Sequence, residues 1–335
     1  MRFGLLLFGV VACAPRAQVS PPATTSTDAS PPSAQPAPLR RRVFAPEQGR
    51  NGIAYGPYRD GQHPDHAQPT EAQLLEDLQI LDPGFDLIRV YGAGDTSKRI
   101  VELIDEHDLG LGVLLGAWIA PDAAEANVAE VDRAIALANA HPDVIVAVAV
   151  GNETQVDWSA HRSPLPDLVV QLDRVRGAVK QPVTTADDYN FWNKPEAQEV
   201  APHVDFILCH AHPLWNGKQV AEATPWTAAT IADIESRHPG IPVVVGEVGW
   251  ATAKETVGEQ GRLIVAPADD ASQVKVWKEL AAWSEERGQP WFWFEAFDEP
   301  WKGGEGPQHV EKHWGLYRVD RTPKPALAAV TGDQP

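Results

Sequence analysis

Short apolar runs alternate with amphipathic segments from about residue 51 onward. Eight runs rich in branched and aromatic residues predict buried strands: Gly52–Gly56, Leu87–Gly92, Gly110–Ile119, Ile145–Glu153, Pro182–Ala186, Phe206–His212, Val243–Trp250 and Trp291–Phe297. The segments between them carry apolar residues at helical spacing and predict helices: Glu71–Leu81, Lys98–His107, Ala123–Ala140, Leu165–Val179, Trp226–Arg237 and Ala271–Arg287, with Pro323–Val330 after the last strand. The alternation predicts an α/β protein with a parallel sheet.

Eight strands separated by helices match the count of a (β/α)8 TIM barrel, which we predict for residues 45–335. An open doubly wound sheet is the alternative. Such a sheet rarely has eight units, and no Gly-x-Gly-x-x-Gly motif opens the first predicted helix.

The N-terminal part of the chain has a different composition. Residues 1–13 combine Arg2 with an apolar run too short to span a bilayer, which predicts a signal peptide. They end in a lipobox-like Val-Val-Ala-Cys, so we predict a bacterial lipoprotein anchored at Cys13 in the periplasm or cell envelope; an ordinary cleaved signal and secretion are the alternative. Residues 14–44, rich in Pro, Ser, Thr and Ala, predict a disordered linker.

Charge and composition narrow the class of ligand. The formal net charge is -18, which argues against nucleic acid or an anionic membrane surface as a partner and suits a neutral ligand. The membrane is therefore reached only through the possible lipid anchor. The 12 tryptophans are compatible with stacking on sugar rings. We expect a monomer.

Two of the predicted strands end in a carboxylate, Glu153 on the fourth and Glu247 on the seventh. The interval between them corresponds to three strand–helix units of about 30 residues, so both should project from the C-terminal face of the barrel. Cleavage of a glycosidic bond needs such a pair. We predict Glu153 as the acid/base and Glu247 as the nucleophile. Each could instead form a structural ion pair with Arg or Lys.

The chain resembles glycoside hydrolase family 17, the β-1,3-glucanases and β-1,3-glucanosyltransferases, from about residue 51 to residue 330. Five motifs in order carry this resemblance: Leu-Ile-Arg-Val-Tyr-Gly at 87–92, Val-Gly-Asn-Glu at 150–153, Gly-Glu-Val-Gly-Trp at 246–250, Phe-Asp-Glu-Pro-Trp-Lys at 297–302 and His-Trp-Gly-Leu at 313–316. It implies a retaining double displacement, with the two carboxyl groups about 5–5.5 Å apart. It implies no cofactor and no metal.

Several further residues are assigned to the site with this resemblance. Asn152 is expected to hydrogen-bond the sugar 2-hydroxyl or to orient Glu247. Arg89 and Tyr91 share one face of their strand, where the arginine would keep Glu247 ionised; structural ion pairing is the alternative. A charge pair that tunes the acidity of the site is expected from Glu299 and Lys302, with a surface salt bridge as the alternative.

For substrate binding we predict stacking of sugar rings on Trp250 and Trp314, with Trp301 and Trp215 behind them, and a contribution from Tyr55. On the sixth strand this chain has His210 and His212 where plant members of the family have Asn and Tyr. We expect these histidines to hydrogen-bond sugar hydroxyls or the carboxylates. A metal site completed by Asp187 and Asp188 is the alternative.

The sequence thus predicts an exported, retaining hydrolase of β-1,3-glucan. The first alternative is a β-1,3-glucan transglycosylase that uses the same two glutamates, because hydrolysis and transfer share one covalent intermediate. A metal-dependent hydrolase and a non-catalytic glucan-binding lipoprotein are the alternatives from other classes.

Overall fold

A computed structural model describes residues 51–328, and in this range the chain is a closed barrel of parallel strands. The strands are β1 Asn51–Ala54, β2 Leu87–Val90, β3 Gly112–Ala117, β4 Ile145–Asn152, β5 Val183–Asp188, β6 Ile207–His210, β7 Val243–Val248 and β8 Trp291–Trp293. Each pairs with its neighbours in chain order, and β8 closes on β1. The predicted (β/α)8 barrel is confirmed. The predicted signal segment, Cys13 and the linker lie outside the described residues.

The helices follow the strands around the barrel. They are α1 Glu71–Leu81, α2 Asp95–Glu106, α3 Ala124–Ala140, α4 Leu165–Arg176, α5 Tyr189–Trp192, α6 Ala197–Val200, α7 Ala223–Arg237, α8 Gly258–Leu263 and α9 Asp270–Arg287. Six of the seven predicted helices are present, with ends shifted by at most three residues, and the seventh, Pro323–Val330, lies partly outside the described residues. The short helices α5, α6 and α8 were not predicted, because four to six residues leave little periodicity to detect.

Local chemistry fixes several helix ends. Before α1, the Thr70 hydroxyl accepts from the Gln73 amide while the Gln73 side chain caps the Thr70 amide, a complete capping box. Asp269 caps α9 by accepting from the Ser272 amide, and Gly288 ends that helix in the left-handed region at φ 64°. These termini could be placed from sequence because their signals are local.

The strands end earlier at the C-terminal face than the apolar runs suggested. β2 stops at Val90 and β8 at Trp293, although the predicted runs continue to Gly92 and Phe297. β5 is the exception, since it continues two residues beyond the prediction to Asp188. The residues just after the strands leave the ladder and form the mouth of the barrel, where their side chains converge.

The core has two layers. Inside the barrel, small and branched side chains pack with a few large ones: Leu87, Leu114, Val146, Ala147, Ala149, Ala186, Phe206, Leu208, Val244 and Phe292. A larger apolar layer fills the space between strands and helices. The barrel interior is therefore packed rather than hollow, and a ligand has access only at its ends.

A buried ionic network ties the C-terminal segment to the first strand–helix unit. Asp77 on α1 is fully buried and accepts two hydrogen bonds from Arg321, at 2.8 and 2.7 Å, and one from Arg59 at 2.8 Å. The Tyr55 hydroxyl donates to the same carboxylate at 3.2 Å, and its ring is buried. The prediction that Tyr55 contacts substrate is therefore wrong: its hydroxyl is directed into this network.

We expect Asp77→Ala to lower the free energy of unfolding by about 3–5 kcal/mol, because it leaves the buried Arg321 guanidinium without its partner. Urea unfolding monitored by circular dichroism measures the change. Asp132→Ala is the matched control, since Asp132 pairs with Arg174 on the surface and should contribute less than about 1 kcal/mol. Equal losses in the two variants would contradict a structural role for the network.

Candidate active site

The two predicted catalytic glutamates lie at the C-terminal ends of their strands. Glu247 is the penultimate residue of β7, and Glu153 follows β4 directly. The chain turns sharply at the end of β4, with Gly151 at φ 79° and Glu153 at φ 50°. A left-handed conformation at a residue other than glycine is strained and needs support from its surroundings. Here the Glu153 amide donates to the Ala186 carbonyl of β5 at 2.9 Å.

One imidazole ring links the two carboxylates. His210 Nδ1 lies 3.1 Å from Glu153 Oε1, and His210 Nε2 lies 3.5 Å from Glu247 Oε1. Both carboxyl groups therefore contact the same small ring and face the same space in the barrel mouth. This arrangement agrees with the predicted placement of the pair.

Glu247 is held by three side chains. Arg89 Nη1 donates to Oε1 at 2.6 Å, the Tyr91 hydroxyl donates to the same oxygen at 2.9 Å, and His212 Nε2 is 3.1 Å from Oε2. The other arm of Arg89 donates to Asn152 Oδ1 at 2.6 Å. Arg89 thus connects Asn152 to Glu247, so Asn152 acts on the carboxylate through the arginine rather than directly.

Electrostatics keep Glu247 ionised. Burial by itself would raise the pKa of this carboxyl, but His210, Arg89 and His212 outweigh burial and hold the pKa well below its usual range. The pKa of His212 is raised, because the attraction of Glu247 exceeds the opposing effect of burial. A buried anion that remains charged at neutral pH has the state that a nucleophile requires.

A second group of charges lies at the end of β8. Lys302 Nζ is 2.5 Å from Glu295 Oε2 and 2.6 Å from Glu299 Oε2. Both carboxylates are almost fully buried, so the alternative of a surface salt bridge is excluded. Burial lowers the pKa of Lys302, yet the two carboxylates raise it above its usual value. For Glu295, burial and then the repulsion from Glu299 raise the pKa well above normal despite Lys302.

Glu295 was not among the predicted site residues. Its signal was nevertheless present, because it directly follows the apolar run Trp291–Phe294. The same pattern of an apolar run ending in a carboxylate identified Glu153 and Glu247. The predicted eighth strand continued past Glu295 to Phe297, so Glu295 was not recognised as a residue at the strand end.

The predicted roles of two tryptophans are wrong. Trp250 and Trp314 are fully buried, so neither ring presents a face to a sugar. Trp250 donates to the Pro267 carbonyl at 2.9 Å, and Trp314 packs edge to face against His212 with centroids 5.3 Å apart. Both residues lie beyond the ends of β7 and β8, in segments whose packing directs the rings into the protein rather than into the mouth.

Partly exposed aromatic rings lie elsewhere around the mouth. Trp301 packs against Tyr58 and His63 and donates to Glu299 Oε1 at 2.9 Å, and Trp215 donates to Glu311. On the other side, Trp118 after β3 contacts His161 with centroids 4.4 Å apart. Of these, Tyr58, His63, Trp118 and His161 were not predicted, because they lie in loops without a periodic pattern.

The two aspartates considered as metal ligands lie at the end of β5. Asp187 accepts from the amides of Gln155 and Asp188, and Asp188 accepts from the Asn190 amide at the start of α5. Burial raises the pKa of Asp188 to about 6. Within residues 51–328 no group of three or more His, Cys, Asp or Glu side chains is arranged to hold a metal ion. His210 and His212 contact Glu153 and Glu247 instead.

We expect Arg89→Met to raise the pKa of Glu247 towards its ordinary value, because it removes a positive charge that favours the carboxylate. Titration of the protein with 13C-labelled glutamate side chains by NMR measures the shift. Arg162→Met is the control, since Arg162 is paired with Asp157 in an exposed loop. An unchanged Glu247 titration in Arg89→Met would contradict this account of its charge state.

Comparisons with known proteins identify the family of this chain. The family model of the BtgE/BtgC glycoside hydrolase domain matches residues 52–315. A glucan 1,3-beta-glucosidase from Arthroderma benhamiae is 32% identical over 300 residues, covering 84% of this chain and 91% of the relative. A glucan 1,3-beta-glucosidase from Schizosaccharomyces pombe is 28% identical over 278 residues, covering 78% of this chain and 82% of the relative.

Two solved structures share the fold. An endo-laminarinase from Formosa Hel1_33_131 superposes with a TM-score of 0.75 at 23% identity, covering 86% of this chain and 88% of that one. A β-1,3-glucanosyltransferase from Rhizomucor miehei, an active-site mutant in complex with laminaritriose, gives a TM-score of 0.68 at 23% identity, with 83% and 97% covered. The family match and the close relative together establish that this chain belongs to the BtgE/BtgC glycoside hydrolase family, a barrel of the glycoside hydrolase family 17 type.

Proposed function

We propose that this protein hydrolyses β-1,3-glucan by a retaining double displacement, with Glu247 as nucleophile and Glu153 as acid/base. The observation that carries the proposal is the contact of both carboxylates with one imidazole ring in the barrel mouth. Retaining enzymes need their two carboxyl groups about 5–5.5 Å apart, since no water has to fit between nucleophile and sugar. The substrate class is supported by the relatives, which are named glucan 1,3-beta-glucosidases.

In the first step an oxygen of Glu247 attacks the anomeric carbon while Glu153 gives its proton to the departing sugar oxygen. The bond to the leaving group breaks and a covalent glycosyl ester of Glu247 forms. Arg89 and Tyr91 hold Oε1 and His212 contacts Oε2, so the nucleophile does not have to be oriented during the reaction.

In the second step Glu153, now ionised, takes a proton from water, and the hydroxide oxygen displaces Glu247 from the anomeric carbon. The two inversions retain the β configuration. Glu247 returns to a carboxylate beside Arg89, whose positive charge favours its departure from the sugar. Glu153 has the exposure this step requires, since 28% of its side chain is accessible to solvent while Glu247 is nearly buried.

Substrate binding is supported by the remaining groups of the mouth. Lys302 is partly exposed, and its ammonium group can donate to sugar hydroxyls while Glu295 and Glu299 balance its charge. Trp301 and Trp215 are the predicted stacking residues that remain partly exposed. A neutral oligosaccharide suits this arrangement, because the site offers both donors and acceptors and the chain as a whole is strongly acidic.

The proposal is tested by incubating the protein with laminari-oligosaccharides and separating the products by size. We expect shorter products only, and proton NMR should show the β anomer forming first. Products longer than the substrate would assign transfer, the alternative that shares the same intermediate. Absence of any change to β-1,3-, β-1,4- or β-1,6-linked glucans would refute the assignment.

Replacement of either catalytic glutamate by glutamine should lower activity. We expect Glu247→Gln to lower kcat/KM on laminaritriose by more than about 10³-fold and Glu153→Gln by about 10²- to 10⁴-fold, since an amide neither attacks carbon nor transfers the proton. Glu305→Gln is the control, because Glu305 is exposed in the loop after β8. Activity in either active-site variant close to that of the control would exclude the assigned role.

A further inference from the structure

The two catalytic carboxylates are held very differently. Glu247 contacts three side chains, Arg89, Tyr91 and His212. For the Glu153 carboxylate, His210 is the one hydrogen-bonding side chain among residues 51–328. The group that must exchange a proton twice in each turnover is therefore positioned by a single imidazole.

His210 is suited to act as a fixed support. It is fully buried at the end of β6, beside Asp188 of β5 and opposite Glu247 of β7 in the sheet register. Its Nδ1 lies 3.1 Å from Glu153 Oε1. Its Nε2 has no hydrogen-bond partner among the described residues and lies 3.5 Å from Glu247 Oε1.

From this geometry we infer that His210 is a positioning residue for proton transfer: its Nδ1–H donates to Glu153 Oε1 and leaves Oε2 free to carry and deliver the catalytic proton. The inference rests on the proposed function. A carboxylate oxygen can accept this bond whether the second oxygen is protonated or not, so one contact serves both steps. The backbone of Glu153 is held by its amide bond to Ala186, so the contact with His210 acts on the carboxyl group itself.

The other ionisable groups around the ring do not replace it. Asp188 is engaged by the Asn190 amide and side chain, and His212 lies 6.4 Å from His210 between ring centroids and contacts Glu247. His161 is close enough to influence Glu153 electrostatically but makes no hydrogen bond to it. Removal of His210 should thus release Glu153 and leave Glu247 in place.

Three substitutions distinguish the contributions of the two ring nitrogens of His210. In His210→Asn the amide nitrogen takes nearly the position of Nδ1, so the bond to Glu153 can be kept. In His210→Gln the amide nitrogen reaches the position of Nε2, and in His210→Ala both contacts are lost. Two substrates separate the two catalytic roles: laminaritriose, whose leaving sugar needs a proton, and 2,4-dinitrophenyl β-laminaribioside, whose leaving group does not.

For laminaritriose we expect His210→Ala and His210→Gln to lower kcat/KM by about 10²-fold, the usual contribution of a general acid, and His210→Asn to recover at least about 10-fold. For the dinitrophenyl substrate kcat/KM should change by less than about 3-fold in all three variants, because Arg89, Tyr91 and His212 still hold Glu247 and the charges of Arg89 and His212 still favour its ionised form. If His210 had a purely structural role, kcat/KM would fall equally for both substrates. Equal losses of kcat/KM on both substrates would overturn the inference. So would a higher kcat/KM on laminaritriose in His210→Gln than in His210→Asn.

A measurement independent of turnover keeps this inference separate from the proposed function. Crystal structures of the variants should show Glu153 displaced in His210→Ala and His210→Gln, in its original place in His210→Asn, and Glu247 unmoved in all three. Failure of the wild-type protein to cleave any β-glucan would refute the proposed function. An undisplaced Glu153 in His210→Ala would refute the positioning role, whatever the activity.

Discussion

The burial of one ionised carboxylate, Glu247, is the constraint on which the site depends. An unpaired buried carboxylate would take up a proton and lose its nucleophilicity, because burial disfavours the charged form. Here His210, Arg89 and His212 reverse that effect, and Tyr91 donates a hydrogen bond to the same carboxylate. These groups come from the ends of β2 and β6, whereas Glu247 lies on β7, so the charge state of Glu247 depends on closure of the sheet.

The closed barrel explains how distant segments reach one carboxylate. Arg89 and Tyr91 come from the end of β2, His212 follows β6, and Glu247 lies on β7. Strand tilt and the packed interior bring the C-terminal ends of these strands to one opening. Arg89 adds a further link, since its second arm joins Asn152 at the end of β4 to the same centre. The geometry of the catalytic site therefore depends directly on the geometry of the barrel.

A second group of buried charges consists of Lys302, Glu295 and Glu299. Here too the neighbouring charges set the pKa of a buried carboxyl group, but in the opposite direction. Two carboxylates share one ammonium group, and the pKa of Glu295 rises while that of Glu247 falls. Glu247 has an excess of positive neighbours, whereas Glu295 has another carboxylate beside it. The mouth thus contains carboxyl groups with opposite proton affinities, which is how one site can combine a permanent anion with groups that retain protons.

The sequence by itself determined the barrel, its six long helices and the positions of Glu153 and Glu247. Apolar runs of strand length, helical spacing of apolar residues and carboxylates at the ends of apolar runs are all local signals. It also placed Arg89, Tyr91, Asn152, His210 and His212 in the site, and it expected the two histidines to hydrogen-bond sugar hydroxyls or the carboxylates. The directions of individual side chains were decided by the tertiary structure. Trp250 and Trp314 point into the protein, Tyr55 joins the network of Asp77, and His210 lies between two carboxylates; each outcome depends on packing and strand register between segments far apart in the chain, which no local pattern encodes.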